Sequence, residues 1–219
     1  MKPVFIFFLL SCHLLVKAQL TDADGNVYPA IRIGNQVWIT RNLEVTKFQN
    51  GDSIPEARTD EQWKRMGEER KPAWCYYKND TAMGRQFGKL YNWYAVNDPR
   101  GLVPSGWRLP SLADWEKLIK HLGGIDAAGL KLKSATGWHT NGNGDNSSGF
   151  NAMPGGFRSA EGTFYYLRRN GYWWATTVSV TYDAWGFRLF YDQAAANVGY
   201  SSKRDGYSVR CLMNYINEQ

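Results

Sequence analysis

Residues that usually carry chemistry are scarce in this chain. It has three histidines, His13, His121 and His139, and three cysteines, Cys12, Cys75 and Cys211. None sits in the close pairs that hold zinc, and no Gly-x-Ser-x-Gly elbow or phosphate-cradling glycine loop occurs. No residue is therefore assigned a catalytic or metal-ligating role, and the chain reads as a non-enzyme with no cofactor. Aromatic and basic side chains are the plentiful chemistry, with ten tryptophans and thirteen tyrosines. The late half gathers Tyr165, Tyr166, Tyr172, Trp173, Trp174, Trp185, Tyr191 and Tyr200 with Arg168, Arg169 and Arg188. Aromatic faces stack on sugar rings or anchor protein partners, and arginines select acidic groups. Tyr172, Trp173, Trp174, Trp185 and Arg188 are the expected centre of a ligand-binding surface. The competing reading is that alternate aromatics simply fill a core. Strand alternation puts Trp173 and Trp174 on opposite faces, so on a one-sided sheet one of them needs a loop, a partner or a ligand over it.

A second source of donors is the polar run Thr140 to Gly149. Asn141 and Asp145 join the expected ligand-binding set from it. Asn141, Asn143, Asp145 and Asn146 offer oxygens to calcium, but one carboxylate among them is thin for such a site. An ordinary loop connection is the competing reading. Asp22-Ala23-Asp24-Gly25-Asn26 looks like half of a calcium loop, yet strand-forming residues follow it, so a tight Asp-Gly turn is expected.

The elements that must position these residues are marked unevenly. Val27 to Ile33 and Gln36 to Thr40 read as a hairpin joined by Gly34-Asn35. Thr59 and Gln62 form a capping box for a helix to Met66. Ala73 to Lys78 is a strand candidate, with loop residues Asn79-Asp80-Thr81 and Gly84 beyond it. Lys89 to Val96 keeps helical spacing. The clearest signal is Gly106-Trp107-Arg108-Leu109-Pro110-Ser111: Pro110 forces an extended approach, Ser111 caps, and Asp114 meets the free N–H groups of the first turn. Trp115, Leu118, Ile119 and Leu122 then form one apolar stripe before Gly123-Gly124. Asp126 can cap a further helical turn. Short strands are expected at 150–153, 156–159, 164–168, 172–177, 185–191 and 207–213, with turns at Glu161-Gly162, Asn170-Gly171 and Asp205-Gly206. The fold class is α+β, with two main helices early, an antiparallel sheet late and long irregular loops.

Residues 1–18 combine Lys2, an apolar run and Val16-Lys17-Ala18, the pattern of a secretory signal peptide cleaved after Ala18. Residues 19–219 then form a single domain. Leu9-Leu10-Ser11-Cys12 also looks like a lipobox, and lipidation of Cys12 would make the protein an outer-membrane lipoprotein instead. Loss of Lys2 and Lys17 leaves 24 of the 26 basic residues against 20 acidic ones, a net charge of +4. That spread-out excess suits anionic surfaces and excludes a nucleic-acid footprint. With Cys12 removed, Cys75 and Cys211 remain as an even pair, expected to form a disulfide, the alternative being two buried free thiols.

Several runs together resemble one family. Asp24-Gly25-Asn26-Val27-Tyr28, Ile33-Gly34-Asn35-Gln36-Val37-Trp38, Arg41-Asn42-Leu43, Gly88-Lys89-Leu90-Tyr91-Asn92-Trp93-Tyr94-Ala95-Val96 and Gly106 to Ser111 look like the Fibrobacter succinogenes major paralogous domain. So do Gly149-Phe150-Asn151-Ala152-Met153-Pro154-Gly155-Gly156, Tyr172-Trp173-Trp174 and Ser208-Val209-Arg210-Cys211. The resemblance implies a bacterial secreted or lipoprotein-type protein and supplies no activity. A more distant likeness to the formylglycine-generating enzyme implies a C-type-lectin-like domain whose N- and C-terminal strands meet. Such a topology would also bring Cys211 towards earlier strands. That enzyme works with a pair of active-site cysteines, and here Cys75 and Cys211 are the disulfide candidates. The Glu-Pro-Asn or Gln-Pro-Asp triplet of calcium-dependent lectins is absent. The expected role is a secreted or cell-surface binding module for a glycan or a surface protein, with a structural or adhesive component as the alternative. Asp52-Ser53-Ile54 and Asp80-Thr81-Ala82 also resemble acidic O-glycosylation sites.

Overall fold

The computed structural model describes residues 19–214. The signal-peptide and Cys12 readings lie outside the described residues. Strands β1 (Gln19–Thr21), β2 (Val27–Ile33) and β3 (Gln36–Ile39) form an antiparallel meander. The Asp22–Asn26 stretch is the expected Asp-Gly turn. Its Asp22 carboxylate accepts from the N–H groups of Asp24 and Asn26, from Asn26 Nδ2 and, at 2.6 Å, from Tyr28 OH. Helix α1 (Asp60–Glu68) starts on the Thr59–Gln62 capping box.

Between residues 74 and 96 the chain is more finely divided than its sequence signals. Strand β4 (Trp74–Cys75) gives way to a 3-10 turn at Tyr77–Asn79 and then to helix α2 (Thr81–Phe87). Asn79-Asp80-Thr81 and Gly84 predict loop there. Instead Asp80 caps the helix through Ala82 N–H, and Gly84 is needed because a Cβ would lie 2.1 Å from the Tyr76 ring. Strand β5 (Leu90–Tyr91) and helix α3 (Trp93–Val96) replace the single expected helix, since Asn92 is an N-cap accepting from Ala95 N–H.

Strand β6 (Trp107–Arg108) leads into α4 (Leu112–His121), followed by α5 (Ile125–Leu132). The rest is strand: β7 (Phe157–Arg158), β8 (Phe164–Tyr165), β9 (Asn170–Val180), β10 (Asp183–Phe190), β11 (Ala196–Ser202) and β12 (Leu212–Met213). Asn170-Gly171 opens β9 rather than turning the chain, and the β9–β10 reversal falls at Thr181–Tyr182. Among the described residues there are four sheets: β1-β2-β3-β12-β6, β11-β10-β9, β4-β5 and β7-β8.

One segment touches all four. Gly206 bridges Arg158, Tyr207 bridges Tyr91, Ser208 bridges Trp173, and Leu212 pairs with Trp38 and Arg108. Between them, Leu43 N–H donates to the Val209 carbonyl and Ile39 N–H to the Cys211 carbonyl. The expected strand over 207–213 is therefore mostly irregular, because its pairing partner changes every residue or two.

Both faces of β9 are covered by the chain itself. Trp173 lies in a core with Trp38, Trp115 and Phe187, where Trp115 stacks on Phe187 at 4.5 Å. Trp174 lies in the other core with Tyr91 and Tyr207, stacked on Tyr207 at 4.3 Å. Both tryptophans are at most 1% exposed, so the expected vacancy over one of them is filled by protein. Helices α4 and α5 pack on the Trp173 side.

The cysteine bridge is not formed: Cys75 and Cys211 are both free and buried. Cys75 pairs with Leu90 on β5 and sits in the small core with Trp63 and Tyr77. Residue 211 is instead held at β3, because β5 meets the C-terminal segment at Tyr207, four residues earlier. Burial pushes the Cys75 thiol up to about 12 and the Cys211 thiol well above its usual range.

The α4 junction forms as its sequence dictates. Ser111 Oγ caps Asp114 N–H, while the Asp114 carboxylate accepts from Ser111 N–H at 2.8 Å and from both Arg108 Nη atoms at 2.5 and 2.7 Å. Burial opposes ionisation of Asp114, but the Arg108 fork and Ser111 outweigh it and hold the carboxyl below its usual range. A lowered folded pKa stabilises above the unfolded carboxyl value of about 3.9, and that stability is lost as pH falls through the folded value. Asp114→Asn should therefore cost about 2 kcal/mol in urea unfolding at pH 7. Its deficit against wild type should shrink below about pH 4.

The thiols give a second check. Without reductant, the native protein should resist iodoacetamide at Cys75 and Cys211, and both should be alkylated once unfolded. Peptides that label only after reduction would restore the bridge.

Candidate functional site

The late half presents a groove built from the turn after β8 and the exit of β10. Tyr166, Arg169, Asn170, Tyr172, Phe190, Tyr191, Asp192 and Gln193 line it, enclosing about 370 Å³. A second groove of about 340 Å³ shares Tyr191, Asp192 and Gln193 and continues past Lys133, Asn141 and Asn143. Both fall within the ~300–1,000 Å³ usual for ligand pockets.

The turn is held by backbone bonds on three sides. Arg168 N–H donates to the Pro154 carbonyl, His139 N–H to the Arg168 carbonyl, and Tyr191 N–H to the Arg169 carbonyl. Within the turn the Arg169 and Asn170 N–H groups both donate to the Tyr166 carbonyl. This closure requires left-handed backbone at Tyr166 (φ 60°) and Arg168 (φ 63°), a conformation that costs a side-chain-bearing residue ~1–2 kcal/mol. Such strain survives only where the surroundings over-determine it, and it concentrates at functional sites.

Aromatic packing fixes the walls. Tyr166 and Tyr165 lean on Phe157 at 6.0 and 5.5 Å, near-parallel to it, yet remain 48% and 43% exposed. Tyr172 packs edgewise on Phe157, and its hydroxyl accepts from Asn170 Nδ2 at 2.8 Å. Burial pushes that hydroxyl above the usual tyrosine range. On the opposite wall the Arg169 guanidinium lies 5.9 Å from the Tyr191 ring centre, and His139 meets the same ring edge-on. Lys133 closes the floor, donating to the Phe190 and Gln193 carbonyls. Burial pulls its ammonium below the usual lysine range, partly offset by Asp192. The arrangement offers ring faces, a guanidinium, amides and a carboxylate at one concave surface. These are the groups that bind sugar rings and their polar substituents.

Of the expected ligand-binding centre, the structure brings Tyr172 and Asn141 to these grooves, and Tyr166, Tyr191 and Arg169 of the wider aromatic and arginine set and Asn143 of the polar loop line them too. Trp173 and Trp174 are core residues. Trp185 packs edgewise on Tyr200 across the β10–β11 pair, and Arg188 Nη2 donates to the Tyr200 carbonyl and Ser201 Oγ. Asp145 is spent in its own turn, accepting from Ser147 N–H. The polar loop as a whole is not free. Asp145 and Ser148 N–H groups bond the Leu130 and Lys131 carbonyls at the end of α5, and a Cβ on Gly144 would lie 2.3 Å from the Leu130 carbonyl oxygen. Asn143 and Asn146 side-chain oxygens accept from the N–H groups of Trp138 and Asn151. Among the described residues no group of three or more histidine, cysteine or acidic side chains is arranged to hold a metal ion. Sequence reasoning passed over Asn170, Phe190, Asp192 and Gln193. Asn170-Gly171 has the pattern of a turn, and nothing in the local sequence sets the other three apart.

A family model described as the Fibrobacter succinogenes major domain matches residues 31–213. No curated protein and no solved structure matches the chain.

Strain in the turn is open to direct measurement. Arg168→Gly removes the left-handed penalty at an exposed position and should raise stability by about 0.5–1 kcal/mol in urea unfolding. No gain would mean that the turn is not strained.

Proposed function

The chain belongs to the Fibrobacter succinogenes major domain family, and from there we propose that it is a non-catalytic binding module of the bacterial exterior that holds a glycan in the Tyr166–Tyr191 groove. Family membership assigns no activity, so the reading rests on the site. The observation that carries it is the exposed Tyr166 ring, set with the half-buried Tyr191 ring and fixed polar groups in one groove. Export rests on the signal-like pattern of residues 1–18. The C-type-lectin-like character of the fold is part of the same proposal. It is supported by the pairing of β12 with β3 and by the two packed helices α4 and α5.

A different surface favours a second reading as an adhesive or structural component that contacts another protein. Val178, Val180 and Tyr182, at the far end of the β9–β10 hairpin, are 48, 55 and 68% exposed. Exposed apolar side chains grouped in this way are typical of protein contacts.

Glycan-array binding separates the two. Tyr166→Ala and Tyr191→Ala should each weaken glycan binding by about tenfold or more, as loss of a stacking ring does. Trp174→Ala should instead cost about 3–5 kcal/mol of stability, because it empties a core site. Undiminished glycan binding in both tyrosine variants would remove the groove from consideration. Binding lost on Val180→Asp and retained in the tyrosine variants would favour the protein-contact reading.

A further inference from the structure

The charges around the groove say more about the ligand than its rings do. Two cations, Lys133 and Arg169, face the combined trough, against one carboxylate, Asp192. Lys133 is buried beneath it, already bonded to two carbonyls, and Asp192 is the acidic group acting on it. Arg169 is left over. It is exposed, rests on the Tyr191 ring, and has no carboxylate within salt-bridge distance among the described residues. Its backbone is fixed on both sides, by the Tyr166 carbonyl and by Tyr191 N–H, so the guanidinium is presented from a rigid base. A guanidinium lying on an aromatic face, with its fork open, suits a planar or tetrahedral anion carried next to a ring that stacks.

Resting on the glycan reading of this same groove, we propose that the ligand is an anionic polysaccharide, with Arg169 the residue that selects its acid group. The Tyr166 and Tyr191 rings take the sugar faces, and the shared Tyr191-Asp192-Gln193 rim lets one chain run from the first groove into the second. Asn141 and Asn143 would meet the hydroxyls of the sugars beyond the anionic one. The acid group is either a uronic carboxylate or a sulfate ester, which share the geometry the guanidinium recognises.

The test is affinity electrophoresis and calorimetry of the intact protein with polygalacturonate, dextran sulfate and a neutral cello-oligosaccharide. Polygalacturonate or dextran sulfate should bind at least tenfold more tightly than the neutral chain, and whichever binds identifies the acid group. Raising ionic strength from about 0.01 to about 0.15 M, which shortens the screening length from about 30 to about 8 Å, should weaken it severalfold. Arg169→Met keeps an apolar stem over Tyr191 and should bring the ratio of charged-chain to neutral-chain affinity down to about one. Equal, salt-insensitive binding of charged and neutral chains, or full preference retained in Arg169→Met, would overturn the inference and leave the glycan reading standing. Binding of none of the three chains would overturn both.

Discussion

A single guanidinium sets the terms for the rest of this fold. Arg210 is fully buried, and among the described residues no carboxylate lies within salt-bridge distance of it. Instead Nε donates to Asn42 Oδ1, Nη1 to the Ile39 and Phe150 carbonyls, and Nη2 to the Asn151 carbonyl, each at 2.8 or 2.9 Å. Its plane lies 4.5 Å over the Phe150 ring. Burial pulls its pKa down to about 9, which leaves it charged at neutral pH. A desolvated cation is tolerable only while every one of those carbonyls stays aimed at it. Asn42 is bound by the same requirement: its Oδ1 also accepts from Trp173 Nε1, and its Nδ2 donates to the Phe87 carbonyl and Ser208 Oγ. Residues from β3, β9, the end of α2 and the loop after α5 are thereby fixed relative to one atom group.

The same device recurs. Lys89 donates to the Glu44 carbonyl between the rings of Trp74 and Tyr76, and Lys203 donates to the Val180 and Thr181 carbonyls under Trp93. Lys133 does so beneath the groove. Carbonyl dipoles and ring faces make the direct contacts to these buried charges, while carboxylates act on Lys89 and Lys133 without a salt bridge. That explains how a chain so rich in aromatics uses them: most serve as walls for cations or for each other. Tyr165 and Tyr166, on the turn after β8, are left exposed, and Phe190 and Tyr191 at the exit of β10 are half-buried. The groove is thus a local exception, and the left-handed backbone at Tyr166 and Arg168 marks where it departs from the rest.

What the sequence disclosed depended on how local each cause was. The capping boxes at Thr59 and Ser111, the 27–39 hairpin and the Asp22 turn were legible because their donors and acceptors lie within a few residues. The family motifs were legible as motifs, but not as a network, since Asn42 and Arg210 are joined by a contact across 168 positions. Gly84 and Gly144 were read as loop punctuation because a sequence cannot distinguish a glycine that frees the backbone from one that admits a neighbour. Strand β11 was missed because Ala-Asn-Val-Gly-Tyr-Ser-Ser carries little alternation and is a strand by virtue of pairing with β10 along its whole length. The site was half legible. Its aromatic and arginine content was visible, but Trp173 and Trp174 drew attention from Tyr166, Tyr191 and Arg169, because burial on both faces of β9 follows from helices and loops far away in the chain.

The segment from Gly206 to Leu212, which meets each of the four sheets in turn, bears on how the chain is made. Its partners at Trp38, Tyr91 and Arg158 are synthesised long before it, and until it arrives each sheet lacks a neighbour and Asn42 lacks its cation. Assembly of this kind is dominated by contacts distant in sequence, which slows folding because loop entropy must be lost before those contacts form. A nascent chain of this topology stays open until its late residues are available, so its sheets close together at the end of synthesis rather than one by one.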